Sequence, residues 1–258
     1  MPKLIAITRE VSPALARCEL THVPRVPIDT DRASSQHADY ERALAELGCS
    51  VVRLRSGPDM PDSLFVEDAA VVLDEIAIIT RPGAPSRRTE TSLVADALRS
   101  YRSIGRIEPP GTMDGGDVLV VGRSIFVGLS TRTNEGGIGQ MEKLVAPFGY
   151  VVRRVVVRGC LHLKSAVTAL GETALLINRE WAPPHAFDEF DAIDVDPAEP
   201  AGANIVRVES RLLYSAGFPR TLKRVEDRGF SVTTVDVSEI AKAEGAVTCC
   251  SLIFNATR

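Results

Sequence analysis

The feature that most constrains the fold is a repeated hairpin pattern, in which two apolar runs flank a two-residue polar turn. The four turns begin at Asp74, Gly122, Gly171 and Glu209, at intervals of 48, 49 and 38 residues. β-rich runs around a tight turn are typical of β-hairpins, although these turns are less specific than Asn-Gly. Helical stretches and a further β-rich run follow three of the hairpins. The pattern therefore predicts a repeated strand–strand–helix–strand unit.

The two ends of the chain predict how the repeat closes. An apolar run at 3–8 begins the chain, and another at 251–254 ends it. Their pairing would complete a fifth hairpin from opposite termini and seal a closed ring. We therefore predict a single catalytic domain over residues 1–258, with an α/β fold in the form of a five-bladed α/β propeller. The first unit is longer than the others, and the surplus, rich in Pro, Ser and charge, predicts a lid loop over about residues 12–35.

Composition excludes several classes of partner. The 258 residues include 30 basic and 34 acidic side chains, for a net charge of -4. This argues against nucleic-acid binding, which depends on a surplus of Lys and Arg. No run approaches the roughly 20 apolar residues that span a bilayer, and the start of the chain is not typical of a signal peptide. Five cysteines without metal-ligand spacing indicate reduced thiols. We expect a cytoplasmic protein with neither nucleic acid nor membrane as a partner.

Acidic residues cluster just before two of the predicted strands. Asp114 and Asp117 flank a Gly-Gly pair, whose small residues allow a sharp turn or a close approach to a ligand. Glu67 and Asp68 lie within an apolar run, with Asp62 just upstream. Burial of carboxylates is costly, so three acids at a strand entrance indicate a bound cation, either organic or a metal. A Ca²⁺ or Mg²⁺ site is one alternative, without EF-hand spacing, and a solvated strand end is the other.

Arg87 and Arg132 occupy equivalent positions in successive repeats, between the second strand and the helix. In a ring, equivalent positions face the same central opening. Two arginines there could hold a carboxylate by paired hydrogen bonds. Salt bridges to Glu90 or Glu135 are the alternative.

A cysteine, a histidine and carboxylates share one position in the repeat. Asp68, Asp114, His162 and Cys249 each lie where a repeat begins. A lone histidine between leucines is more often a core residue than a catalyst. Four such positions directed at one axis nevertheless predict a nucleophile, an acid/base and an orienting group.

Ordered motifs along nearly the whole chain match one family. FVEDAAVV, ITRPGAPSRR, MDGGDVL, FVGLSTRTN, LHLKS, AGAN and VTCCS occur in the family's order. The chain thus resembles the dimethylarginine dimethylaminohydrolases, members of the guanidino-group-modifying (pentein) superfamily of five-bladed α/β propellers.

The resemblance implies hydrolysis of Nω-methylated arginine, dimethylated or monomethylated, to citrulline and a methylamine. It makes Cys249 the nucleophile that forms a covalent thiouronium. His162 would protonate the leaving amine and then activate water, and Asp114 would orient His162. No cofactor is implied, although zinc could inhibit by capturing Cys249 and His162. The protein would act on a small molecule as a monomer or homodimer.

The resemblance also implies the contacts to the substrate, from its guanidinium to its α-amino group. They are Asp62, Glu67 and Asp68 at the guanidinium, Arg87 and Arg132 at the α-carboxylate, and the Leu20 carbonyl with Glu244 at the amine. At position 244 relatives commonly have Asp.

Two alternatives stay open. Arginine deiminases on the same ring usually carry an acid two residues after the catalytic histidine, where this chain has Lys164. That difference favours a substrate with an alkylated nitrogen. The second alternative is a non-catalytic ring, like the ribosome-subunit anti-association factors, which would have no use for Cys249, His162 and Asp114 together.

Overall fold

The computed structural model describes residues 3–256, and in that range fifteen short strands form five three-stranded sheets. The strands are β1 (Leu4–Arg9), β2 (Ser50–Leu54), β3 (Ala70–Val72), β4 (Ile76–Ile79), β5 (Ser103–Arg106), β6 (Val118–Val121), β7 (Ser124–Leu129), β8 (Val151–Val156), β9 (Val167–Ala169), β10 (Ala174–Ile177), β11 (Asp191–Asp194), β12 (Ile205–Val208), β13 (Arg211–Ser215), β14 (Val232–Val235) and β15 (Leu252–Asn255). The α-helices are α1 (Thr30–Glu46), α2 (Thr91–Leu98), α3 (Glu135–Val145), α4 (Leu163–Ala166), α5 (Pro219–Glu226) and α6 (Ser238–Lys242).

Each sheet combines an antiparallel hairpin with a third strand that pairs in parallel. The sheets are β3-β4-β5, β6-β7-β8, β9-β10-β11, β12-β13-β14 and β15-β1-β2. All four predicted hairpins are confirmed, and the predicted helix before the third strand is present as α2, α3 and α5. A parallel third strand requires such a crossover connection. In the β9-β10-β11 sheet that connection contains a 3-10 turn, Pro184–Phe187.

The predicted pairing of the two chain ends is confirmed. β1 pairs with β15 in antiparallel register, with Leu4 opposite Asn255 and Ile7 opposite Leu252. β2 extends this sheet in parallel, after the crossover through α1. First strands of neighbouring sheets also touch, since β15 contacts β3, β6 contacts β9, and β9 contacts β12.

The predicted lid loop over residues 12–35 is wrong at its carboxyl end. Residues from Thr30 onward belong to α1, whose N-cap Asp29 accepts hydrogen bonds from the amides of Asp31 and Arg32. The capped helix buries Ala33 and other residues of one face against the core. Because the polar residues at 30–35 form the first turns of an amphipathic helix, composition alone made them resemble a loop. The candidate lid is therefore shortened to the segment 12–29, which is called the lid below.

Apolar side chains from the strands and helices form the buried core between and behind the sheets. All five cysteines are free thiols, as predicted. Over residues 3–256 no helix combines the length and the apolar character needed to cross a bilayer.

Candidate active site

Four predicted residues occupy the same place in four of the sheets, the short turn that leads into the first strand. They are Asp68 before β3, Asp114 before β6, His162 before β9 and Cys249 before β15. These turns touch one another: the turn before β3 contacts those before β6 and β15, and α4 contacts the turn before β6. The repeat therefore brings side chains that are far apart in sequence to one place.

A small cavity of about 20 Å³ lies where these turns meet. Of the ten predicted site residues, seven line it: Asp62, Asp68, Arg87, Arg132, His162, Glu244 and Cys249. Glu19, Phe65, Leu161 and Ala243 complete the lining. Cys249 and His162 thus line the same cavity. Asp114, Glu67 and Leu20 lie outside its lining.

The His162 ring is buried between two carboxylates. Its Nε2 lies 3.0 Å from Asp114 Oδ2, and its Nδ1 lies 3.8 Å from Asp68 Oδ1. Burial alone would lower the pKa of His162, but the charge of Asp68 and the hydrogen bond to Asp114 outweigh it and raise the pKa to about 9. The ring is therefore an imidazolium at neutral pH and can donate a proton to a leaving group.

The Gly115-Gly116 pair allows this close packing. A Cβ added to Gly116 would lie 2.6 Å from His162 Nδ1, and one added to Gly115 would lie 1.9 Å from the Glu67 carbonyl oxygen. The Gly116 amide donates a hydrogen bond of 3.0 Å to Asp68 Oδ1. The sequence predicted that these glycines allow a sharp turn or a close approach to a ligand. In the structure the groups that approach them closely belong to the protein itself.

Cys249 is half-buried at the wall of the cavity. Burial and the negative charges of Glu67 and Asp68 raise the pKa of this thiol to about 12. Cys249 is therefore a thiol, not a thiolate, at neutral pH. A cation bound beside it would oppose the charge of the two carboxylates and favour ionisation.

Arg87 is fully engaged with acidic groups. Its Nη1 donates to Asp68 Oδ2 at 2.6 Å, while Nε and Nη2 donate to Glu90 Oε2 at 3.1 and 3.0 Å. The Glu90 salt bridge left open by the sequence is therefore present. Burial would raise the pKa of Asp68, but His162 and Arg87 together lower it to about 2. Arg87 thus helps to keep Asp68 charged beside the cavity.

Arg132 links the cavity to the lid. Its Nη1 lies 3.7 Å from Asp114 Oδ2, and its Nη2 donates to Thr21 Oγ1 at 3.3 Å. Glu135, the alternative partner suggested by the sequence, pairs with Arg154 at 3.1 Å.

The Glu244 side chain binds backbone amides of the lid. The Glu244 carboxylate accepts hydrogen bonds from the Thr21 amide at 2.6 Å and the His22 amide at 2.9 Å. Glu244 adopts a φ of 58°, in the left-handed region that non-glycine residues seldom occupy. The sequence had placed this carboxylate near a substrate amine, whereas here its oxygens contact the lid.

A second lid contact is made by Asp62. Both Asp62 carboxylate oxygens accept from the Glu19 amide, at 3.1 and 3.2 Å. Leu20, predicted to offer its carbonyl to a ligand, packs its side chain against the apolar core below the lid. The segment 12–29 is therefore docked over the cavity by backbone hydrogen bonds to two acids.

The Glu67 carboxylate is directed away from the cavity lining. It accepts hydrogen bonds from Lys164 Nζ and from Thr248 Oγ1, the latter at 2.9 Å. From the sequence we expected Glu67 to contact a bound cation, but the cationic group that Glu67 contacts is the Lys164 side chain. Lys164 was noted from the sequence only as a difference from the arginine deiminases, and Thr248 was given no role.

Asp117 is a supporting residue that the sequence noted without assigning a role. It is buried and accepts from Ser130 Oγ at 2.6 Å, Thr133 Oγ1 at 2.7 Å and the Leu163 amide at 2.9 Å. The last bond fixes the backbone next to His162. The sequence feature that could have indicated this supporting role is the position of Asp117, three residues after Asp114 in the same glycine turn.

The side chains of Asp68, Asp114 and His162 could hold a metal ion, since one ligand atom from each lies within 4.8 Å of the others. An inhibitory zinc at Cys249 and His162, which the resemblance allows, would therefore meet carboxylates as well. Arg87 already bonds Asp68, so a metal would have to compete with it.

Known proteins match the chain over most of its length. Residues 57–180 match the family model described as arginine deiminase. A dimethylarginine dimethylaminohydrolase of Streptomyces coelicolor is 41% identical over 98% of this chain and 97% of its own. The Pseudomonas aeruginosa protein of the same name is 36% identical over 88% of this chain and 90% of its own. A solved structure of a mutant of that Pseudomonas enzyme in complex with citrulline covers 98% of this chain and 100% of its own, with a TM-score of 0.93 and 35% identity.

Proposed function

The chain belongs to the dimethylarginine dimethylaminohydrolase family, and from that membership we propose that it hydrolyses Nω-methylated arginines to citrulline and a methylamine. The observation that carries the proposal is the shared cavity, in which Cys249, His162 and Asp68 meet, with Asp114 bonded to the imidazole. We also infer that the five sheets close into a single propeller domain, because the two terminal strands pair and neighbouring first strands touch.

Binding is proposed to place the guanidinium against Asp68 and the α-carboxylate against Arg132. Asp68 is held ionised and buried, so it offers a fixed charge to a planar cation. Arg132 reaches the cavity from the lid side, where it can meet the amino-acid end of the substrate. Arg87 supports this arrangement through its bond to Asp68.

Substrate binding also prepares the nucleophile. In the free protein the thiol of Cys249, with a pKa of about 12, and the imidazolium of His162, with a pKa of about 9, are both protonated at neutral pH. The bound guanidinium offsets the carboxylate charges and lowers the pKa of the thiol, whose proton passes to solvent. A thiolate then faces an imidazolium across the substrate. Thiolate absorbance should increase when an arginine analogue binds, and no increase would contradict this step.

The first chemical step forms a carbon–sulfur bond. The Cys249 thiolate attacks the guanidinium carbon, and the imidazolium of His162 gives its proton to the methylated nitrogen as the carbon–nitrogen bond breaks. The methylamine leaves and an S-alkylthiouronium remains on the cysteine. Asp114 stabilises the imidazolium before transfer and keeps the ring oriented afterwards.

The second step releases the product. The now neutral His162 takes a proton from water, and the resulting hydroxide adds to the thiouronium carbon. The carbon–sulfur bond then breaks and releases the Cys249 thiolate. The added hydroxyl group loses its proton to solvent as the urea carbonyl of citrulline forms, and citrulline departs. No metal or organic cofactor takes part in either step.

Arginine deiminase activity is the competing function, and Lys164 argues against it. A deiminase-type acid at this position would offer a second carboxylate to an unsubstituted guanidinium. Here Lys164 instead neutralises Glu67. One carboxylate fewer suits a substrate whose second nitrogen carries methyl groups.

A citrulline assay tests the proposal on arginine, monomethylarginine and dimethylarginine in parallel. We expect turnover of the methylated arginines and at least about tenfold lower kcat/KM for arginine, a difference of about 1.4 kcal/mol in transition-state binding. Faster turnover of arginine would assign the chain to the deiminases. No citrulline from any of the three would reject both functions.

A further inference from the structure

A buried hydrogen-bond network outside the catalytic cavity runs through four of the five sheets. Its members are Glu67 before β3, Lys164 before β9, Asn204 before β12 and Thr248 before β15. Glu67, Asn204 and Thr248 are buried, and Lys164 is partly exposed. The proposed reaction uses none of these side chains directly. Their common feature is that they converge on the residue immediately before the nucleophile.

Asn204 is the centre of this network. Its Oδ1 accepts from the Thr248 amide at 3.0 Å, and its Nδ2 donates to Thr248 Oγ1 and to the Lys164 carbonyl, each at 2.9 Å. The side chain amide thus holds both the backbone and the hydroxyl of Thr248. It also ties them to the segment that begins with His162 and continues into α4.

Thr248 begins the 3-10 turn Thr248–Cys250, which carries the nucleophile. Within a turn this short, the orientation of the first peptide group sets the direction of the next side chain. The Thr248 hydroxyl adds a third restraint by donating to Glu67 Oε2 at 2.9 Å. Lys164 balances the charge of that carboxylate. Every polar group of the network therefore has a partner, which favours a single arrangement.

We propose that Asn204 is a positioning residue for Cys249: by gripping Thr248 and the Lys164 carbonyl at once, it fixes the sulfur relative to the imidazole of His162. The inference rests on the proposed function only in taking Cys249 as the nucleophile. A displacement of the attacking atom by about 1 Å can lower the rate by about 100-fold, even when the substrate still binds. Asn204 therefore acts on the chemical step and not on affinity.

The chain provides a matched control. Asn178 is also a buried asparagine bonded to backbone, since it donates to the Pro200 carbonyl at 2.8 Å and accepts from the Glu180 amide at 2.9 Å. Neither bond involves the network around Thr248. Asn178→Ala therefore removes comparable hydrogen bonds without touching the turn that carries Cys249.

The test compares Asn204→Ala with Asn178→Ala in the full chain. For Asn204→Ala we expect kcat for dimethylarginine to fall by about 10- to 100-fold with KM changed less than about threefold. The rate at which iodoacetamide alkylates Cys249 should change as well. Asn178→Ala should retain kcat and the alkylation rate, even if its melting temperature falls equally.

Unchanged kcat and alkylation in Asn204→Ala would overturn the proposal, and so would an equal loss in the two variants at equal stability. If Asn204→Ala does not fold, Asn204→Ser replaces it, because the serine hydroxyl is too short to reach the Thr248 amide. Alkylation does not require a substrate. It therefore tests the positioning role even if the wild-type protein forms no citrulline from methylarginine, a result that would reject the proposed function alone.

Discussion

At the scale of single residues, two adjacent cysteines have different surroundings. Cys249 is half-buried and lines the cavity, whereas Cys250 is buried with its Sγ 3.5 Å from the Ala246 carbonyl oxygen. Only the first is accessible to a small molecule from the cavity. The VTCCS motif contains both, so their different roles follow from the turn and not from composition.

Cys249→Ser should therefore lower kcat by at least about 1,000-fold, because a neutral hydroxyl is a much weaker nucleophile than a thiolate. Cys250→Ala should keep activity within a few-fold and lose only packing. A citrulline assay on the two variants, together with thermal melts, makes the comparison. Activity in Cys249→Ser would assign the covalent step to another group.

The protonation state of the free enzyme predicts its pH profile. kcat/KM reports ionisations of the free enzyme, and the reactive form has one proton fewer than the neutral-pH form, in which Cys249 and His162 are both protonated. In the free enzyme this proton is lost from His162, whose pKa is raised to about 9. When substrate binds to that form, the Cys249 proton passes to His162, which gives the thiolate and imidazolium that the reaction uses. kcat/KM for dimethylarginine should thus rise about tenfold per pH unit from pH 7 and level off near 9. A profile that is flat between pH 6.5 and 9 would contradict this prediction, because the free enzyme would then have lost the first of the two protons below pH 6.5.

The positions of the charged residues of the site could be predicted from the sequence more accurately than the contacts that their side chains make. The repeat placed Asp68, Asp114, His162 and Cys249 together because equivalent turns of a ring converge. It could not foresee that Glu67 turns to Lys164, because that ion pair depends on side-chain orientation between two sheets.

At the scale of elements, the lid is held mainly through its backbone. The Glu244 carboxylate accepts hydrogen bonds from two backbone amides of the lid, and the Asp62 carboxylate accepts one from a third. Side-chain motifs gave no sign of these bonds, because any residue other than proline supplies a backbone amide. The lid was located from the extra length of its unit, and the start of α1 was missed because the first turns of that helix are polar.

Glu244→Ala should loosen the lid, because the Thr21 and His22 amides lose their acceptor. We expect KM for dimethylarginine to rise by about 5- to 50-fold, more than kcat falls, and hydrogen exchange to increase in the segment 12–29. Asp59→Ala is the matched control, since Asp59 pairs with Arg17 of the lid at 3.6 Å but its side chain is 91% exposed. Equal effects of the two substitutions would mean that Glu244 does not hold the lid.

At the scale of the whole molecule, the pairing of β1 with β15 joins the chain ends in one sheet. The sequence predicted this from apolar runs at the two termini and from the spacing of the hairpins. Such repeats are readable because every unit must bury the same faces of its strands. The helix of the fifth unit, which forms the sheet β15-β1-β2, was the hardest to recognise, since the first turns of α1 are polar.

A circular permutant tests this closure. Joining the original termini by a short Gly-Ser linker and opening the chain at Gly122–Arg123, an exposed hairpin turn, should preserve the fold and keep kcat within about threefold. Opening the chain between Val247 and Thr248 should instead abolish citrulline formation, because the turn that carries Cys249 loses its anchor. Loss of folding in the first permutant would contradict the closure of the sheets through the terminal strands.

The place of the nucleophile immediately before β15 couples catalysis to the pairing of one sheet. Because β15 pairs with β1, local unfolding that separates these two strands also releases the turn that carries Cys249. Denaturant should therefore abolish citrulline formation as soon as this sheet opens, even where the other four sheets are intact.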